Sequence, residues 1–200
     1  MDVQELRPGL WRWTGAHPEW DHAEHWGPEV ASVYAELDEA VVVVDPLVPG
    51  DEEDRFWAAL DRDVERAGRP LHVLLTVHWH ERSVAAVLDR YHARLWRPEE
   101  KGDLPKGVRA ETVHGSDWVE ALFFLESHQA LVAGDLLVGR GGGVEVPVEW
   151  FPKDEQEWAA SELKAELRQR LADLPIELVL PSHGEAVLED SGAALKRALA

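Results

Sequence analysis

Four consecutive valines, Val41–Val44, run straight into Asp45-Pro46. A β-branched run without polar alternation fits a strand buried on both faces. The Asp-Pro pair ends it, because proline has no N–H for a ladder and restricts the residue before it. The arrangement recurs. Leu71–Val77 leads into His78-Trp79-His80, Ala130–Ala133 into Gly134-Asp135, and Ile176–Leu180 into Pro181-Ser182-His183-Gly184. Strand ends of one sheet layer open onto a common rim, where α/β proteins place their sites.

The rest of the chain fills in the layers. Leu10–Trp13 and Val30–Leu37 read as strands, and Glu39-Ala40 as a turn. Gly50 to about Ala67 reads as a helix, with Trp57, Leu60 and Val64 on one face. Ser83 is a candidate N-cap for a short helix with Val84, Val87, Leu88 and Tyr91 inward. Ala93–Trp96, Val108–Val113 and Ala121–Leu125 read as strands, with a polar loop over 97–107. Leu136–Gly139 extends the Ala130–Ala133 strand after a bend, and 139–143 is a glycine-rich loop. Asp154 to Leu171 reads as a helix whose Asp154 and Glu157 resemble a capping box, and Ser191 opens a last helix. Strands lead, helices alternate with them and the middle is strand-rich, so the fold class is α/β with mixed sheets, in one domain over residues 1–200.

Composition narrows the function. The 39 acidic residues exceed the 20 basic ones, for a net charge of −19. Such a surface repels phosphate backbones and anionic lipid, so we expect neither a nucleic-acid partner nor a membrane one. No apolar stretch approaches a membrane span and no signal peptide is read, so the expected location is cytoplasmic. The absence of cysteine removes thiolate nucleophiles, disulfides and cysteine-based zinc sites together. Any metal must be held by His, Asp or Glu. In an extended segment residues i and i+2 point the same way, so His78 and His80 are expected to chelate one ion, with Asp135 and His183 adding an oxygen and a third imidazole.

The order strand, H-x-H, helix, His-Gly loop, strand pair, Gly-Asp and a late Ser-His-Gly resembles the metallo-β-lactamase superfamily of metallo-hydrolases, which includes glyoxalase II-like enzymes. Pro8-Gly9-Leu10-Trp11 and the strand ending at Asp45-Pro46 are similar to that family's opening strands. The resemblance covers nearly the whole chain. It implies an αββα sandwich, two mixed β-sheets flanked by helices. It also implies a metal-dependent hydrolase acting on a small-molecule ester, thioester or related bond. On the family's H-x-H-x-D-H signature His78 and His80 match, Asp135 matches the bridging aspartate, His183 the last histidine, and His114 is the candidate middle ligand.

The signature is broken where the second metal would sit. Arg82 stands in place of the aspartate and Ser83 in place of the third histidine. A guanidinium is always charged and cannot bind a cation. The expectation is therefore a reduced, mononuclear site on His78, His80, His114 and Asp135, or no metal at all. Zinc is the first choice, with iron and manganese as alternatives. Asp135 then binds metal or acts as base, while Arg82 holds an anionic group of substrate. Arg82 paired with Asp135 in place of the ion is the other possibility, and it would suit a catalytically inactive binding or scaffolding module. Lactam hydrolysis draws no support from the sequence.

Other features have plainer readings. Glu81 reads as a solvated charge at a helix start. The segment 17–26, dense in His and Trp, is a lid over the site or a surface loop with an aromatic anchor. Trp20 and Trp26 within it would be the contact of a homo-oligomer. Gly141-Gly142-Gly143 lacks a P-loop lysine and is no phosphate cradle.

Overall fold

The computed structural model describes residues 1–22, 26–100 and 102–200. A six-stranded sheet runs in the order β1 (Asp2–Arg7), β2 (Leu10–Ala16), β3 (Glu29–Glu36), β4 (Val41–Val44), β5 (Leu71–Leu74) and β6 (Arg94–Trp96). Its first three pairings are antiparallel, whereas β4–β5 and β5–β6 are parallel. A second sheet runs β12 (Leu178–Pro181), β9 (Ala130–Ala133), β8 (Val119–Leu125) and β7 (Val108–His114), with only β12–β9 parallel.

Three apolar cores stack through the molecule. Leu10, Val33, Val42, Val44 and Leu74 of one sheet meet Phe123, Leu125, Val132 and Leu180 of the other. Behind the first sheet, Val41, Val43 and Val73 pack on Phe56 and Leu60 of α1 (Glu53–Ala67) and on Val84 and Val87 of α2 (Val84–Tyr91). Behind the second, Leu122, Phe124, Leu131 and Val179 pack on Leu163, Leu167 and Leu171, and on Leu195 of the C-terminal helix Ser191–Ala198. Alternate valines of Val41–Val44 thus serve different cores, which is why the run contains no polar residue. The layers are helix, sheet, sheet, helix, the expected αββα arrangement. Among the described residues no helix is long and apolar enough to cross a membrane.

Several local expectations change. β1 goes unseen in the sequence because its residues, DVQELR, are largely exposed at a sheet edge. The stretch 136–145 is not a strand extension followed by a loop. It forms a hairpin of β10 (Val138–Arg140) and β11 (Gly143–Glu145). Gly141 and Gly142 supply the positive φ values of 59° and 75° at its turn. The helix expected over 154–171 begins at Gln156–Trp158, passes through a π-helical stretch at Ala159–Leu163 and ends at Lys164–Leu171. No capping box forms, and the Ser83 hydroxyl accepts from the Val48 N–H rather than capping α2.

Gly139 lies against the loop that carries His183. Its N–H donates to the His183 carbonyl at 2.8 Å, and a Cβ there would overlap the Glu185 carbonyl oxygen. Gly139→Ala is expected to force the hairpin off this loop. Thermal melting should fall by roughly 5–10 °C, the effect of about 2–4 kcal/mol in a chain of this size.

Candidate metal centre

Four strand ends meet at one rim. β4 releases Asp45, β5 leads through Thr76 to His80, β9 releases Gly134-Asp135, and β12 releases Ser182-His183. Backbone bonds seam the two sheets there. The Ala31 N–H donates to the Ser182 carbonyl, and the Ala121 N–H to the Thr76 carbonyl, both at 2.8 Å. Gly134 is required by this closure, since a Cβ would come within 2.5 Å of Thr76 Oγ1 and 2.9 Å of Glu120 Oε1.

Asp45, fully buried and in a left-handed conformation, is the anchor. Its Oδ1 accepts from the Thr76 N–H at 2.9 Å. Its Oδ2 accepts from the Thr76 hydroxyl at 2.6 Å and the Ser182 hydroxyl at 3.2 Å, and lies 2.8 Å from His80 Nδ1. A carboxylate with these neighbours makes Nδ1 the protonated nitrogen and turns His80 Nε2 into the rim. Burial works against ionisation of Asp45, but the His80 charge and hydrogen bond hold its pKa below the ordinary carboxylate value.

Asp135 Oδ1 faces both imidazoles, 3.3 Å from His80 Nε2 and 3.2 Å from His183 Nε2. This oxygen is buried without a hydrogen bond. Asp135 Oδ2 accepts from the Trp79 indole at 2.8 Å, which fixes the carboxylate plane. The three ligand atoms lie within 4.8 Å of one another. A tetrahedral zinc with ligands at about 2.0–2.2 Å spaces its ligand atoms roughly 3.3–3.5 Å apart, so two imidazoles and one carboxylate fit a single ion here. His183 has no carboxylate behind it, and its Nδ1 is buried without a partner. Its ring is held edge-on by Trp26 and Trp150, with centroids 5.0 and 5.2 Å away.

Without a metal, a proton takes that place. Burial pulls the His80 pKa down, but Asp135 and Asp45 outweigh it and raise it to about 9. Burial likewise opposes the charge on Asp135, yet His80 and His183 keep its pKa well below the ordinary value. A folded-state His80 pKa above the unfolded 6.5 stabilises fully below pH 6.5, and that contribution is lost as pH rises through 9. In chelator-treated protein His80 alone is therefore expected to contribute a loss of about 3 kcal/mol between pH 6.5 and 10, and Glu120, raised to about 8, adds to it in the lower part of that range. Urea titrations across that range would read it, and His80→Gln should reduce the slope to the part that Glu120 carries.

The structure does not bring every expected ligand here. His78 and His80 lie in a 3-10 turn, not an extended segment, and His78 turns outward. The His78 side chain is 54% exposed, with Nδ1 3.6 Å from Glu99. His114 ends β7 on an exposed position and is outside the cluster. Arg82 forms no ion pair with Asp135 among the described residues. Its Nη1 donates instead to the carbonyls of Ala31 and Asp45, at 3.2 and 3.3 Å. Glu81 pairs with Arg97. Of the segment 17–26, Trp26 reaches His183, while the Trp20 indole donates to the Trp26 carbonyl at 2.8 Å. Residues 23–25, His25 among them, lie outside the described residues.

Two neighbours were missed in the sequence. Glu120, buried in β8, accepts from the Leu136 N–H at 3.0 Å, and burial with the nearby Asp135 charge raises its pKa to about 8. Trp150 lines both cavities that flank the cluster. One is a cleft of about 730 Å³ with Arg12, Trp26, Ser182 and His183 in its wall. The other is an aromatic pocket of about 240 Å³ that reaches Asp135.

No family model matches the sequence, and no curated protein matches it either. Solved structures do. The DIM-1 metallo-β-lactamase superposes with a TM-score of 0.59 at 13% identity, covering 99% of this chain and 94% of that one. The metallo-β-lactamase from Hirschia baltica gives 0.59 and 13%, with 99% and 95% covered. The one from Erythrobacter litoralis gives 0.58 and 12%, with 98% and 89% covered. At such identities the likeness is one of fold.

Proposed function

From a metallo-β-lactamase fold whose rim joins two imidazoles to one carboxylate, we propose a metal-dependent hydrolase of a small ester, thioester or related bond. The observation that carries the reading is the convergence of His80, Asp135 and His183 on one point, with Asp135 Oδ1 buried and lacking a hydrogen bond. These three residues hold one divalent ion, zinc in the first instance. Two imidazoles and a carboxylate leave open positions on zinc and also suit ferrous iron. A divalent ion there supplies Lewis acidity to the attack of water on a polarised carbonyl.

The chain's own groups do the rest. Asp45 fixes the ring and tautomer of His80, and the Trp79 indole fixes Asp135. Trp26 and Trp150 hold the His183 ring edge-on in the wall of the larger cleft. Glu120 accepts from the Leu136 N–H and so holds the turn that carries Asp135. Arg82, bonded to two backbone carbonyls, braces the Asp45 turn rather than substrate.

Elemental mass spectrometry on protein purified without chelator or His-tag tests the reading. About one equivalent of zinc or iron is the expected result. Two equivalents would overturn the mononuclear site, and none after reconstitution would leave a proton-bridged His80–Asp135 pair in an inactive binding protein.

A further inference from the structure

The pocket that reaches Asp135 has a chemistry of its own. Trp79, Trp118, Trp150 and Phe151 form its wall, and Asp117, Glu120 and Asp135 line the same space. Among the described residues no lysine or arginine lines it. The wall is preformed. Trp118 and Phe151 lie 5.9 Å apart, and both pack on Trp158, at 6.4 and 6.2 Å. The Trp118 indole N–H donates to Glu155 and that of Trp79 to Asp135, so these two rings keep their donors engaged and offer ring carbon to a ligand.

Aromatic faces carry negative potential, and the exposed Asp117 carboxylate at the pocket's edge adds to it. An anion finds no cationic side chain in the wall. A neutral apolar group would fill it but give Asp117 no counter-charge. A bare inorganic cation would lose its hydration to a mostly apolar wall. An alkylated ammonium group satisfies both features, because its charge is spread over methyl groups that need no hydrogen-bond acceptor. The net charge of −19 steers cations toward the molecule. At about 240 Å³ the pocket is smaller than the roughly 300–1,000 Å³ that houses a whole ligand. It takes one group of a substrate and leaves the remainder over the rim.

We propose that this pocket binds the quaternary or alkylated ammonium group of the substrate, placing the neighbouring ester-like bond against His80, Asp135 and His183. The placement of the reacting bond rests on the hydrolase reading, whereas cation binding does not need it.

Calorimetric titration of the full chain with choline chloride, beside its neutral isostere 3,3-dimethyl-1-butanol, tests the proposal. Choline is expected to bind about tenfold more tightly than the isostere. Trp79→Leu, at a half-exposed position whose loss the fold should bear, is expected to remove that preference, and Asp117→Asn to weaken choline alone. Equal binding of the two probes, or no choline binding, would overturn it. The two readings fail separately. Choline bound by protein that takes up no metal keeps the ammonium pocket and removes the hydrolase. One equivalent of metal without choline binding does the reverse.

Discussion

His80→Ala is expected to take the metal content from about one equivalent to near zero, while His78→Ala leaves it unchanged. The two histidines stand two positions apart in a motif that treats them alike, but only His80 reaches Asp135. Removing one of three protein ligands should weaken metal binding by at least the roughly 10–100-fold that losing a supporting partner costs. His183→Ala should behave as His80→Ala does, and His114→Ala as His78→Ala does. Metal stoichiometry after gel filtration, with melting curves to establish folding, decides the matter. Retention of metal by His80→Ala, or its loss from His78→Ala, would mean that the centre is built on the other half of the motif.

The reason His78 diverges shows what a sequence does and does not disclose. Strand ends were legible. Val41–Val44 and Ala130–Ala133 are continuous apolar runs, and the polar residues after them had to sit at a rim. The αββα layering was legible only through resemblance, since periodicity cannot say which sheet a buried strand joins. The H-x-H spacing implies a shared direction only if the backbone stays extended. Here β5 ends at Leu74, and the histidines lie in a 3-10 turn of three residues. With about three residues per turn, positions i and i+2 point some 120° apart, and the chelate is undone. Glu120 falls outside the apolar run Ala121–Leu125 that marks the strand in the sequence, whereas β8 begins at Val119 and buries it. What it faces depends on Gly134 and Asp135, brought to it by pairing of β8 with β9. Arg82 was read by its charge, yet its placement follows from its backbone. A φ of 29° belongs to a tight turn, and its guanidinium meets the carbonyls of Ala31 and Asp45.

Asp45→Ala and Asp45→Asn are expected to fail in different ways. Alanine leaves the Thr76 N–H and hydroxyl, the Ser182 hydroxyl and His80 Nδ1 without their shared acceptor, in a site with no access for water. Breaking a buried charged pair in this manner costs about 3–5 kcal/mol, or roughly 10 °C in melting temperature at this chain length. Asparagine keeps the shape and keeps an oxygen for the Thr76 N–H, so its stability loss should be smaller. Its amide nitrogen, in the place of Oδ2, donates to His80 Nδ1 rather than accepting from it. That moves the imidazole proton to Nε2, the nitrogen aimed at Asp135, and a protonated nitrogen cannot ligate a metal. Asp45→Asn is thus expected to remain folded and lose its metal, and Asp45→Ala to lose both. Melting temperature and metal content measured on the same preparations separate the outcomes. An asparagine variant that keeps its full equivalent would show that Asp45 is a structural brace at the sheet seam and has no hold on the state of His80.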